Sequence, residues 1–259
     1  MIDLHVHALA GIDDGPQTLD DAVAVATAAS AAGTRTLVAT PHVSDRYPNT
    51  PESIGSAAAA LQEQLRSKRI EVSLVTGAEI AIERLQALDD QALDALTLGG
   101  GPYLLIESPL RASAGDVDMP LRRLLAEGRR VVLAHPERSP TFHREPDLLA
   151  HLVALGVLTS VTAAAFTGRY GKTVRRFSER MLEEGLVHNL ASDGHDLRSR
   201  SPVLTDGLAR VAMSSGRALE DWLVRTVPEA VLSGSPIPAP PPRSAPRRSA
   251  LRRLLRRAP

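Results

Sequence analysis

The sequence predicts an α/β protein in which seven strand–helix units follow one another within a single domain. Three observations carry that prediction. Short β-branched apolar runs alternate with segments of helical periodicity from the first residues to about residue 230, the pattern of a parallel sheet covered by helices. So many consecutive units in one domain favour a closed barrel over an open, doubly wound sheet. Composition permits it, because 43% of the 259 residues are hydrophobic and 23% are charged, enough to bury a substantial core.

The elements follow in order. Residues 2–7 alternate apolar and polar side chains and form the first strand. Thr18 opens a helix, with Thr18-x-x-Asp21 resembling a capping box and Leu19, Ala22, Val23, Ala26 and Ala29 on one face up to Gly33. A second strand spans 36–40 and a long alanine-rich helix 52–66. A third strand spans 72–80, with weaker helical segments to Leu96. A fourth strand over 103–107 leads to a helix over 119–127 closed by Gly128. The fifth strand (131–135) precedes a helix over 147–155, and the sixth (157–162) a helix over 174–184 closed by Gly185. The seventh (187–192) leads into helices over 204–214 and 219–224.

From Ser233 the composition changes. SGSPIPAPPPRSAP reads as an extended proline-rich stretch without a core of its own. SALRRLLRRAP reads either as a solvated tail or as a short basic amphipathic helix suited to an acidic membrane surface or partner. Seven arginines and no carboxylate follow Pro236, so the formal charge of zero divides into +7 on the tail and −7 on the body.

Several classes are excluded. There is no cysteine, hence no disulfide, thiolate zinc site or cysteine nucleophile. Aromatic residues make up 3%, too few for base-stacking platforms on single-stranded nucleic acid. The acidic body also suits no nucleic-acid partner. With no apolar run of ~18 residues and no basic region ahead of an apolar one at MIDLHVHALAGIDDG, the expected location is the cytoplasm.

The chemistry lies where the strands end. His5 and His7 close strand one, two residues apart and so on one side. Asp13 and Asp14 follow in the loop, and His42 follows strand two in ATPH. Glu79 ends strand three, Glu107 strand four and His135 strand five, while Asp193 and His195 follow strand seven in ASDGH. In a barrel those ends converge on one mouth. Neutral imidazoles and carboxylates together are the ligand set of divalent transition ions. Nine such groups suit two or three ions, with a carboxylate such as Glu79 shared, and water held between two ions is a nucleophile near neutral pH. Singly, each residue has a plainer reading as a cap or turn; jointly they do not. His143, His151 and His188 fall off the pattern and read as structural. Arg138 and Arg200 lie three and five residues past His135 and His195. Their forked guanidinium groups fit a phosphoryl group, the competing reading being a surface ion pair. Arg169 and Arg198 have weaker positions.

The segments HVH, DDGP, ATPH, GAE, LIE, AHPER and ASDGH, in that order, resemble the polymerase-and-histidinol-phosphatase (PHP) superfamily, and more narrowly its capsule-type protein-tyrosine phosphatases. The likeness runs from Met1 to about residue 230 and takes in VTAAAFTGRYG and SDGHDLRSRSPVL. It implies a distorted TIM-like (β/α)7 barrel over residues 1–232, with the Pro/Arg-rich tail (233–259) outside the shared pattern. It implies a trinuclear site, often manganese-loaded, with iron or zinc as alternatives. His5, His7, Glu79 and Asp193 would hold one ion, Glu79, Glu107 and His135 a second, and Asp14, His42 and His195 a third. Arg138 and Arg200 would clamp phosphate, with His42 or His195 able to aid the leaving group. The implied substrate is phosphotyrosine on a tyrosine autokinase that controls capsule or exopolysaccharide export. A small-molecule phosphatase acting on histidinol phosphate, a nucleotide phosphodiesterase, and a non-catalytic module that binds a kinase or a membrane are the alternatives. The sequence is silent on oligomeric state.

Overall fold

A computed structural model describes residues 1–110 and 117–242. Strand β1 (Ile2–Val6) pairs in parallel with β2 (Thr36–Ala39), and β2 with β4 (Ser73–Thr76). The second sheet, also parallel throughout, runs β3 (His42–Val43), β5 (Glu79–Ala81), β6 (Tyr103–Glu107), β7 (Arg130–Ala134), β8 (Leu158–Thr162) and β9 (Asn189–Ala191). The two sheets meet at both edges. Gly77 N–H donates to Ala39 C=O and Glu79 N–H to Pro41 C=O, so β2–β3 and β4–β5 continue one another across short breaks. On the far side Asp193 N–H donates to His5 C=O (2.9 Å), His7 N–H donates to Gly194 C=O (2.8 Å), and Val6 bridges Gly194 in parallel. The molecule is a single-domain α/β fold built on parallel sheets.

Helix α2 (Pro51–Ser67) packs on β4 of the first sheet, and α1 (Leu19–Ala31) packs on α2. Thr18 caps α1 by accepting from the Asp21 N–H, as the sequence predicts, and a full capping box between Thr50 and Ser53 starts α2. Leu61 and Leu65 of α2 are fully buried, and truncating either to alanine would cost about 2–5 kcal/mol. The chain continues through α3 (Asp90–Ala95), α4 (Asp118–Ala126), α5 (Pro140–Arg144), α6 (Pro146–Ala154), α7 (Gly171–Glu184), α8 (Thr205–Ser215), α9 (Arg217–Asp221) and α10 (Val227–Ser233).

Four features differ from the sequence reading. The expected strand over 72–80 is two strands, interrupted at Gly77–Ala78. β3 and α5 were not expected: β3 has only two residues, and α5 hides behind two prolines that read as a loop. The last helix, expected at 219–224, instead runs from Arg217 through a π-turn at Trp222–Thr226 to Ser233. The start of the proline-rich stretch is strapped to the body. Ile237 packs on the core, the Trp222 indole N–H donates to Pro238 C=O (3.0 Å), and Arg130 donates to Gly234 C=O (3.0 Å). Extended proline-rich backbone keeps its carbonyls free, which is what makes such a strap work. The amphipathic reading of 249–259 lies outside the described residues.

Candidate metal centre and active site

All nine ligand-type residues singled out in the sequence come together, although Glu79, expected to end a strand over 72–80, opens β5, and His42 opens β3. Glu79 is the hub. It is completely buried, with Oε2 lying 3.2 Å from His5 Nε2, 3.1 Å from His7 Nε2 and 3.1 Å from His42 Nδ1, and Oε1 2.6 Å from His135 Nε2. Asp193 Oδ1 sits 3.5 Å from His5 Nε2 and 3.6 Å from His7 Nε2. Asp14 Oδ1 sits 3.4 Å from His42 Nε2 and 3.2 Å from His195 Nε2. Glu107 reaches both His42 Nδ1 and His135 Nε2 at 3.7 Å.

Three sets have donor atoms all within 4.8 Å of one another: His5, His7, Glu79, Asp193; His42, Glu79, Glu107; and His7, Asp14, His42, His195. These overlap the three sets the resemblance implies. His42 joins the Glu79–Glu107 pair while His135 holds the other Glu79 oxygen, and His7 joins the Asp14 set.

The local chain is bent to make this possible. His135 (φ 31°) and Asp193 (φ 49°) both adopt the left-handed region, which costs a non-glycine residue about 1–3 kcal/mol and clusters at functional sites. His135 follows directly on β7 and Asp193 lies two residues past β9, where the turns bring both side chains into the cluster. Gly15 and Gly194 are needed for close approach: a Cβ would lie 2.7 Å from His7 O and 2.7 Å from Pro202 Cα, respectively.

The electrostatics fit divalent ions. Burial holds His42 and His195 below their ordinary range, and burial with the Arg138 charge brings His135 down to about 4. These rings are therefore neutral, the form that ligates. Burial and the neighbouring Glu79 charge push Glu107 up to about 9; a cation between the two would relieve that repulsion. His7 is driven against its burial to about 10 by its hydrogen bond to Asp13 and by the neighbouring Glu79 carboxylate. Buried Glu79 Oε2 and His195 Nε2 have no hydrogen-bond partner. Such a set of imidazoles and carboxylates with unpartnered inward atoms fits a manganese-, iron- or zinc-type site.

Arg138 and Arg200 reach the mouth, as expected. Arg138 Nη1 donates to Asp193 Oδ2 (2.5 Å), and Arg200 Nη2 donates to both Asp193 oxygens (2.8 Å each). Against burial, the Arg138 charge leads His5, His135 and Arg200 in holding Asp193 well below the usual carboxylate range. Among the described residues Arg198 makes a loop contact, its backbone N–H donating to Asp196 (2.5 Å). The three remaining histidines sit elsewhere, as expected: His143 against Glu137 C=O (2.7 Å), His151 against Arg122 (2.6 Å), and His188 against Thr159.

Two residues have roles that the sequence reading does not assign: Asp13, placed only in the loop beside Asp14, and Tyr47. Asp13 Oδ2 pairs with His7 Nδ1 (2.6 Å) and also accepts from His42 N–H (3.2 Å), while Oδ1 accepts from Gly15 N–H (2.9 Å). A carboxylate behind a ligating imidazole fixes its tautomer and orientation. The adjacent Asp13–Asp14 pair was the available signal, since neighbouring side chains diverge and one of two acids therefore turns away from the ions. Tyr47 stacks on His42, with centroids 5.7 Å apart and planes 9° from parallel; nothing in SDRYP marks it.

The family model for capsular polysaccharide synthesis, CpsB/CapC, matches residues 1–233. The chain is 32% identical over 249 residues to the tyrosine-protein phosphatase YwqE of Bacillus subtilis (strain 168), covering 96% of this chain and 98% of that one. It is 28% identical over 225 residues to the tyrosine-protein phosphatase CpsB of Streptococcus agalactiae serotype III (strain NEM316), covering 84% and 92%. Among solved structures it is similar to one from work on YwqE from Bacillus subtilis and CpsB from Streptococcus pneumoniae, described as unique metal-dependent tyrosine phosphatases. There the TM-score is 0.85 at 33% identity, over 94% of this chain and 99% of that one. With ordered motifs, fold and family model in agreement over the whole body, the chain belongs to the CpsB/CapC family of capsular polysaccharide synthesis.

Proposed function

We propose that this chain is a metal-dependent phosphomonoesterase that removes phosphate from tyrosine on protein, its substrate being a tyrosine autokinase controlling capsule or exopolysaccharide synthesis. The observation that carries the reading is the convergence of nine ligand-type side chains beside two arginines at one mouth, in a chain whose relatives are named tyrosine-protein phosphatases.

The body, residues 1–232, is a PHP-type distorted (β/α)7 barrel in this reading, supported by the hydrogen bonds that join the two sheets at both edges. Residues 233–259 form its Pro/Arg-rich tail. His5, His7, Glu79 and Asp193, then Glu79, Glu107 and His135, then Asp14, His42 and His195 hold two or three divalent ions, manganese before iron or zinc. Such ions supply Lewis acidity to the phosphoryl group and make water a nucleophile near neutral pH. Asp193 fixes the Arg138 and Arg200 forks at the mouth, where they grip the non-bridging phosphoryl oxygens. Neutral imidazoles at His42 or His195 sit where the leaving phenolate needs a proton partner. No helix among the described residues is long and apolar enough to cross a membrane, and the cytoplasm is the proposed location. The arginines of the tail favour an anionic membrane surface; deleting 236–259 should lower liposome binding at low salt, and unchanged binding would sink that role.

The test is phosphate release by manganese-loaded protein from a phosphotyrosyl peptide, histidinol phosphate and a dinucleotide side by side, with His135→Ala as control. Preference for the peptide, lost in the variant, is expected. Preference for histidinol phosphate would keep the site and replace the substrate.

A further inference from the structure

A cleft of about 1310 Å³, lined by Ile82, Leu93, Pro109, Leu124 and Arg129 among others, lies away from the candidate metal ligands. Its carboxylates Asp90 and Asp94 are already paired with Arg129, and Glu127 with Arg123. A smaller cleft of about 390 Å³ is lined by Asp14, His42 and Glu107 together with Arg46, Tyr47 and the 108–110 segment. It is therefore continuous with the ligand cluster; Tyr47, Pro109 and Leu110 form an aromatic and apolar wall on it, with Ser44, Arg46 and Glu83 among the polar residues around that wall.

That wall is unusual for this chain, which has only three tyrosines, three phenylalanines and one tryptophan. Tyr47 is also held firmly. Ser44 N–H donates to Tyr47 C=O (3.0 Å), Tyr47 N–H donates to Ser44 Oγ (3.2 Å), and Val43 bridges Pro48. The Asn49 side-chain amide ties His42 C=O (2.9 Å) and Ile12 C=O (2.8 Å) to the same turn. The ring lies nearly parallel to the His42 imidazole. The Arg46 guanidinium sits over the Tyr47 ring at 5.0 Å and makes no ion pair among the described residues.

We infer that Tyr47 forms an aryl subsite: with phosphate at the ligand cluster, the phenyl ring of phosphotyrosine lies in this cleft against Tyr47 and the Pro109–Leu110 edge, so the site selects aryl over alkyl phosphomonoesters. The inference rests on the phosphomonoesterase reading and names the group that this site recognises. Alkyl side chains lack the flat face that gains from such a wall. The rigid turn means that the subsite exists before substrate arrives, which lowers the ordering cost of binding.

The experiment uses the metal-loaded full chain. Inhibition constants are measured for phenylphosphonate and propylphosphonate, and KM and kcat for one peptide bearing phosphotyrosine or phosphoserine, in wild type, Tyr47→Ala and Tyr47→Phe. The expected result is about three- to tenfold weaker phenylphosphonate binding in Tyr47→Ala, with propylphosphonate changed by less than about twofold and Tyr47→Phe restoring the aryl preference. The loss for the phosphotyrosyl peptide should fall on KM rather than kcat. Equal weakening of both phosphonates would mean that Tyr47 merely supports His42, and unchanged binding of both would mean that the ring goes elsewhere; either overturns the subsite. Wild-type protein that hydrolyses neither peptide overturns the phosphomonoesterase reading itself, and the subsite with it.

Discussion

The region where β8 and β9 begin and the cluster of candidate ligands treat polar groups in opposite ways. At the end where β8 and β9 begin, each polar side chain has a partner. His188 Nδ1 accepts from Thr159 N–H (3.2 Å), Thr159 Oγ1 donates to Leu186 C=O (2.5 Å), Ser160 Oγ donates to Asn189 Oδ1 (2.7 Å), and Asn189 Nδ2 donates to Leu223 C=O (3.1 Å). At the mouth, five imidazoles and four carboxylates crowd together, buried atoms of Glu79 and His195 lack hydrogen-bond partners, and two ligands hold a strained backbone. Buried polar groups are nearly always satisfied. The first region is built for stability, and the second departs from local rules where function requires it.

Breaking the hub should have the largest effect. Glu79→Gln removes the carboxylate shared by four imidazoles, and kcat/KM for a phosphotyrosyl peptide should fall by about 10³-fold or more, because bound ions supply several kcal/mol of transition-state stabilisation. Chelation of the wild-type protein should do the same and be reversed by manganese; phosphate release reads both. Next come the arginines. Arg138→Ala or Arg200→Ala should lower kcat/KM by about 10–100-fold, since each removes charge-assisted hydrogen bonds worth about 1.5–3 kcal/mol. Arg138→Lys should not restore the rate, because an ammonium lacks the fork.

Asp13→Asn separates ligand from support. The shape is kept but the charge behind His7 is lost, so metal affinity measured by calorimetry should drop about 10–100-fold. An unchanged affinity would reduce Asp13 to a loop contact. In the satisfied region, His188→Gln should leave activity within about twofold of wild type and alter stability instead. Burial holds His188 at about 4, so between there and ~6.5 the unfolded chain takes a proton that the folded chain refuses. Stability is therefore lost as pH falls through that window, by up to about 3 kcal/mol, and the glutamine variant should lack this part of the slope. Urea midpoints at pH 5 and 7.5 in both proteins give the answer.

The positions of most candidate ligands are legible in the sequence because residue type at a strand end is a local signal, readable within two or three residues. His5, His7, Glu107 and His135 stand at or next to the ends of strands whose apolar runs announce them, and Asp193 lies two residues past β9; Glu79, read as the end of a third strand, instead opens β5 after the break at Gly77–Ala78. How they group was not legible. That depends on how β3 and β5 are offset from β2 and β4, and a two-residue strand such as His42–Val43 leaves no periodicity to read. The sequence names Asp13 but not its role, and does not mark Tyr47 at all, because both roles arise from loop conformation. The strap at 234–238 was missed because a proline-rich run shows no preference for solvent over a hydrophobic shelf beside Trp222.

Metal equivalents per folded chain, counted by elemental mass spectrometry after manganese loading and gel filtration, test the multi-ion mouth most directly. Two or three ions on the wild type, at least one fewer on Glu79→Gln and an unchanged number on His188→Gln are the predicted results. A wild-type protein that carries no ion and still releases phosphate from the phosphotyrosyl peptide at full rate in chelator would contradict the account.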